Sequence, residues 1–141
     1  FYCEREGVLF AGDIDLTSSG PWYGNPASNI EDFKASIKKL IEIKPRIVLT
    51  GHGEPIKEGV TKAFERYLQV FDERDQMILR LLTEPKTLEE LIDEKPIYRR
   101  HPKPVIIYRL YEGILLEKHL QRLLEKGLLI KEGDTYWNPW A

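Results

Sequence analysis

The chain has 141 residues, 42% of them hydrophobic, which is enough to pack one ordinary domain or two small ones, and its formal net charge of −2 gives no electrostatic reason to expect a polyanionic partner. One cysteine, Cys3, excludes an internal disulfide and a cysteine-based zinc cage. No apolar run is long enough to span a bilayer and no secretory leader stands at the start, so the expectation is a soluble, cytoplasmic protein without a membrane partner. High Glu and Lys with a single Met gives a composition of thermophile type. The chain opens on Phe1-Tyr2-Cys3 rather than on methionine and reads as a piece of something longer.

In chain order, Phe1–Cys3 and Val8–Ala11 are apolar runs separated by Glu4-Arg5-Glu6-Gly7, which predicts a β-hairpin with a four-residue loop. From Ile14 to Ala27 no period is sustained, so this is a long loop. Ser28-Asn29-Ile30-Glu31 has the form of a capping box. Ile30, Phe33, Ile37, Leu40 and Ile41 follow at helical spacing, in a helix that ends before Pro45. Ile47-Val48-Leu49 is a short buried strand.

Gly59 to Leu82 predicts one long or kinked helix joining two modules. Thr87-Leu88-Glu89-Glu90 is a second capping box and opens a short helix. Lys95 to Pro104 is a loop. Val105 to Lys126 is helical, with Leu110, Ile114, Leu120, Leu123 and Leu124 as its expected core stripe, Gly113 as a candidate interruption and Gly127 as its stop. Leu128–Ile130 and Thr135–Trp137 flank Lys-Glu-Gly-Asp as a terminal hairpin. Helices followed by a hairpin is the order of a winged helix. The expected division is residues 1–58 as the C-terminal part of an α/β sandwich and residues 59–141 as a connecting helix with a winged-helix-like domain.

Two of these strands end alike. Val8-Leu9-Phe10-Ala11 stops on Gly12-Asp13, and Ile47-Val48-Leu49-Thr50 stops on Gly51-His52-Gly53. Glycines let the backbone turn sharply and leave the polar side chain on the rim of a sheet, so adjacent strand ends would point a carboxylate and an imidazole at one metal ion.

The motifs Leu9-Phe10-Ala11-Gly12-Asp13 and Thr50-Gly51-His52-Gly53-Glu54-Pro55-Ile56 resemble the last two metal motifs of the metallo-β-lactamase-fold hydrolases. The nearest subgroup is the glyoxalase-II-like and β-lactamase-like proteins with a small winged-helix-like domain at the C-terminus. The resemblance implies a fold class of α/β (α+β), the C-terminal half of an αββα sandwich followed by that domain. It implies that Asp13 bridges two metal ions and that His52 completes the ligands of the second. The family's His-x-His-x-Asp-His motif and the histidine after it are absent, since the only histidines are His52, His101 and His119.

The chemistry that the resemblance implies is metal-dependent hydrolysis of an ester, thioester or phosphodiester, with a small-molecule ester or thioester, or RNA, as the substrate. Two divalent cations about 3.5–4 Å apart lower the pKa of a shared water and stabilise the oxyanion that forms on attack. Zinc is the first choice, with iron and manganese also compatible with one Asp and one His. Tyr23, Thr17 and Ser18, in the loop after Asp13, are candidate substrate contacts. With half of the site absent the chain alone is expected to be inactive and to hold metal weakly. An unpaired sheet face predicts association with the missing half or with a second copy.

Plainer readings stand beside these. Asp13 after Gly12 is also an ordinary turn residue, and His52 an ordinary exposed turn histidine. His119, between Lys118 and Leu120, reads as a helix-surface residue rather than a ligand, and Cys3 as a small buried apolar residue. Arg99-Arg100-His101-Pro102-Lys103 reads as a solvated basic loop rather than a phosphate site. The competing function is a winged-helix module that binds nucleic acid or another protein. Residues 72–141 carry nearly equal numbers of basic and acidic side chains, and nucleic-acid binding wants a basic face, so this module reads as a packing or substrate-gating appendage.

Overall fold

The computed structural model describes residues 1–141. They form two compact units, one of Phe1–Tyr23 and Glu31–Phe71, the other of Gly24–Ile30 and Asp72–Ala141. Each unit has its own three-stranded sheet, and no sheet runs through both. The division between these units falls inside a helix, between Phe71 and Asp72. The physical reason is that one unbroken helix carries two apolar faces in succession, one for each core.

In the first unit β1 (Tyr2–Cys3) and β2 (Val8–Gly12) form the expected hairpin, with Tyr2 opposite Leu9. Gly7 closes the hairpin loop at φ +64°, and a Cβ there would lie 2.8 Å from Nε of Arg46, so only glycine fits. Its carbonyl accepts the amides of Arg46 and Ile47 at 2.8 and 3.2 Å. These bonds start β3 (Ile47–Thr50) parallel to β2, with Leu9 beside Val48 and an irregularity between Phe10 and Gly12. The crossover is α1 (Ile30–Ile43), which stops at Lys44 in the left-handed region just before Pro45.

Leu9 and Val48 face inward and pack with Ile37 of α1 and with Val60, Phe64 and Tyr67 of α2 (Val60–Leu81). Alternation puts Phe10 on the opposite face, where it is exposed with Phe1, the two ring centroids 6.0 Å apart. Fully burying Phe64 stabilises the fold by about 1.5–3 kcal/mol.

The second unit takes its core from Ile78 and Leu82, from α3 (Leu88–Glu94) through Leu91 and Ile92, and from α4 (Val105–Glu125) through Leu116, Leu120 and Leu123. The Thr87-Leu88-Glu89-Glu90 box forms as the sequence predicts: Thr87 Oγ1 accepts the Glu90 amide and the Glu90 carboxylate accepts the Thr87 amide. Those bonds hold the Glu90 carboxyl below the ordinary range. A strand that periodicity did not show, β4 (Lys86–Thr87), pairs with β6 (Thr135–Trp137), which pairs in turn with β5 (Ile130–Glu132), in the order β4-β6-β5.

The helix α4 keeps Leu120 and Leu123 of its predicted stripe in the core, with Leu124 packed against it, and departs from the stripe at Leu110. Gly113 does not interrupt it; a Cβ there would lie 3.1 Å from Cδ1 of Ile92, so the glycine lets α3 and α4 approach closely. Leu110 is 59% exposed, while Glu112, Leu115, Leu116, His119 and Leu120 are buried. Three polar side chains of the helix, Glu112, His119 and Arg122, also find partners inside. The Glu112 carboxylate accepts the amides of Ile97 and Tyr98 at 2.7 and 3.1 Å, with His101 Nε2 3.4 Å away. His119, expected on the surface, is fully buried with Nδ1 2.6 Å from Asp75 Oδ1, and Arg122 pairs with the other oxygen of the same carboxylate. Hydropathy alone assigns such residues to the surface; the partners that satisfy them come from other elements.

Candidate metal centre

Each candidate ligand is delivered by a strand end. At the end of β2 the backbone passes Gly12 at φ +57°, which releases Asp13 from the sheet. At the end of β3 the chain runs through Thr50-Gly51-His52-Gly53, with Gly53 at φ +135°, and returns so that Ile56 pairs with Val48 through two bonds of 2.9 Å. The His52 loop is therefore tied at both ends to one strand. The two strand ends are also tied to each other, because Gly51 N donates to Gly12 O at 2.8 Å.

The consequence is that His52 Nε2 lies 3.7 Å from Asp13 Oδ1. Both side chains are open, 72% and 94% exposed for His52 and Asp13 respectively, so neither is held by packing. A Cβ on Gly51 would sit 3.6 Å from Asp13 Oδ1, an ordinary contact, so Gly51 lies beside the pair without closing it in. The hydroxyl of Thr50, buried and without a hydrogen-bond partner, lies in β3 two residues before His52.

One oxygen and one nitrogen donor at this spacing fit part of the coordination shell of a divalent cation. They do not complete it: no group of three His, Cys, Asp or Glu side chains stands together anywhere in the chain. The remaining histidines serve elsewhere, His101 against Glu112 and His119 against Asp75.

The candidate substrate contacts separate. Thr17 has its amide and hydroxyl 3.1 and 3.2 Å from Asp15 Oδ1, a local turn that shapes the loop after Asp13. Ser18 is exposed. Tyr23 is 1% exposed, with its ring 5.0 Å from that of Phe71 and 6.4 Å from that of Phe33, so the structure places it in the core and not at a substrate surface. A tyrosine in a polar loop looks accessible in sequence; here the loop folds its aromatic ring inward. Cys3 is half-buried in β1.

The class this arrangement defines is the metallo-β-lactamase fold: a short mixed sheet backed by helices, with an aspartate and a glycine-flanked histidine on adjacent strand ends. A metallo-β-lactamase family protein of Thermus thermophilus superposes with a TM-score of 0.72 at 30% identity over 98% of this chain and 44% of its own. A β-lactamase domain protein of Burkholderia ambifaria, 23% identical, shares the fold with a TM-score of 0.73 over 97% of this chain and 43% of its own. Among curated proteins, the β-lactamase-like protein 2 homolog of Drosophila melanogaster is 27% identical over 127 residues, 89% of this chain and 41% of that protein. No family model matches. The chain shares the fold of these metallo-β-lactamase family proteins and spans less than half the length of the relatives it matches.

Proposed function

We propose that the chain is the C-terminal part of a metal-dependent hydrolase, with Asp13 and His52 among its metal ligands, and that the 141 residues alone are inactive. The observation that carries this reading is the 3.7 Å approach of His52 Nε2 to Asp13 Oδ1 on strand ends tied together by their backbones. The carboxylate of Asp13 would offset cation charge, and the imidazole of His52 would offer a nitrogen donor. A bound divalent metal, zinc first with iron or manganese as alternatives, supplies Lewis acidity toward an ester, thioester or phosphodiester. Thr17 and Ser18, on the loop that follows Asp13, are the residues of that loop placed to meet a substrate.

The rest of the coordination shell belongs to a partner segment, either the remainder of the fold or a second copy, packed against the sheet face that exposes Phe10. The helices and small sheet of residues 72–141 act as a winged-helix-like appendage. The test is made on a full-length protein: Asp13→Ala and His52→Ala should each abolish metal-supported turnover while leaving the fold intact. Elemental analysis of the dialysed 141-residue chain should find metal well below one equivalent. Stoichiometric metal in this chain, with turnover lost in His52→Ala, would overturn the incomplete-site reading.

A further inference from the structure

In the second unit, the start of α4 and the loop before it present side chains that the fold does not absorb. Val105 is 45% exposed, Ile106 78%, Ile107 41% and Leu110 59%, four aliphatic side chains on the first two turns of one helix. An apolar groove of about 640 Å³ between α3 and α4 continues this surface to Ile92 and Ile114. Immediately before the helix, Arg99, Arg100 and Lys103 are exposed.

None of these three cations forms an ion pair, and the acidic side chains nearest them are held by other partners. Asp93 and Glu89 are both engaged by Arg109, Glu94 by Lys86, Glu90 by the Thr87 cap, and Glu112 by the Ile97 and Tyr98 amides. The exposed carboxylate of Glu117 stands roughly 18 Å along the helix from Val105. The first turn of α4 contains no acidic residue and its Pro104 N-cap makes no side-chain bond, so its free amides add positive potential. The loop is also held in shape: Tyr98 meets Tyr108 edge-on with ring centroids 5.6 Å apart, and Tyr108 meets Tyr111 at 6.4 Å.

From this juxtaposition we infer that the 99–110 protrusion is a peripheral binding surface for an anionic phospholipid bilayer. Arg99, Arg100 and Lys103 meet headgroup phosphates, and Val105, Ile106, Ile107 and Leu110 enter the boundary with the acyl chains. No helix of the chain is long and apolar enough to cross a membrane, so the contact is interfacial. Charge complementarity selects this occupant. Single-stranded nucleic acid would meet the cations but stacks on aromatic faces, whereas the most exposed side chains here are the aliphatic Ile106 and Leu110, at 78% and 59%, with Tyr111 at 37%. A second copy seated on the same surface about a two-fold axis would bring like charges together.

The test is co-sedimentation of the full chain with vesicles, independent of the metal ligands. Vesicles with about one-third phosphatidylserine should bind, and pure phosphatidylcholine should not. Each cation near the surface contributes about fivefold in partitioning, so the triple change Arg99→Gln, Arg100→Gln, Lys103→Gln should weaken binding about a hundredfold, and Asp13→Ala should not change it. Ile106→Ser with Leu110→Ser should also weaken it, with an unchanged urea midpoint because both positions are exposed. In Ile106→Trp, tryptophan emission should shift to the blue with anionic vesicles only. Equal binding to neutral vesicles would overturn the inference. So would displacement by a single-stranded oligonucleotide that binds more tightly than the vesicles, or light scattering showing a dimer that Leu110→Ser dissolves.

Discussion

The amide of Gly51 donates to the carbonyl of Gly12 at 2.8 Å, fastening the ends of β2 and β3 together one residue before His52 and one residue before Asp13. The two glycines contribute differently. Gly12 sits at φ +57°, where any side chain is strained, although nothing lies near its missing Cβ. At Gly51 a Cβ would meet its nearest atom, Gly12 O, at 3.4 Å, within ordinary contact. Gly12→Ala should therefore lower unfolding stability by about 1–2 kcal/mol and Gly51→Ala by less, as read from urea midpoints. Equal losses would show that the left-handed backbone is not what the position requires.

Asp75 is the hub of the second unit's buried charge, with His119 on one oxygen and Arg122 on the other. Asp75→Ala leaves the buried His119 without its carboxylate and Arg122 with Asp72, 3.6 Å away, and should cost about 3–5 kcal/mol. Glu117→Ala, an exposed change on the same helix that Asp75 ties down, should stay within about 0.5 kcal/mol. Chemical denaturation of both variants checks the contrast.

Glu112 holds the loop that precedes α4. Glu112→Ala leaves the amides of Ile97 and Tyr98 unpaired in a part-buried place and should cost about 1–3 kcal/mol for each amide that stays dry. Hydrogen exchange should accelerate at those two amides far more than at Leu91 and Leu120 in the core. Uniform acceleration would indicate global destabilisation instead.

Burial pushes the Tyr98 hydroxyl up to about 12, with Glu112 raising it further and Arg74 opposing. A raised folded pKa means that the unfolded chain loses this proton first, near its ordinary pKa of about 10. The stabilisation from Tyr98 is therefore fully present below about pH 10 and is lost as pH rises from there to about 12. Tyrosinate absorbance should show a late-titrating group that Tyr98→Phe removes, and that variant should keep a flatter stability profile across the same window. Absence of the late step in the native chain would contradict the buried placement of the hydroxyl.

What the sequence by itself determined was local. The loop Glu4–Gly7, the stop before Pro45, the capping box at Thr87 and Gly127 as the end of α4 each depend on a few neighbouring residues, and the structure shows them all. The same holds for the glycines that release Asp13 and His52, so the pair of strand ends and the family they resemble were legible before any coordinates. The tertiary structure alone decided which polar side chains are internal. His119 and Glu112 pass for surface residues in a periodic pattern, and Leu110 for core, because the Asp75 carboxylate and the Ile97 and Tyr98 amides that reverse those assignments are contributed by other elements. Tyr23 turned inward for a related reason: the aromatic rings it packs on, Phe33 and Phe71, come from two different helices. The basic residues Arg99, Arg100 and Lys103 form no ion pair, while the acids around them are held by Arg109, Lys86 and backbone amides, because pairing is fixed by distance in space.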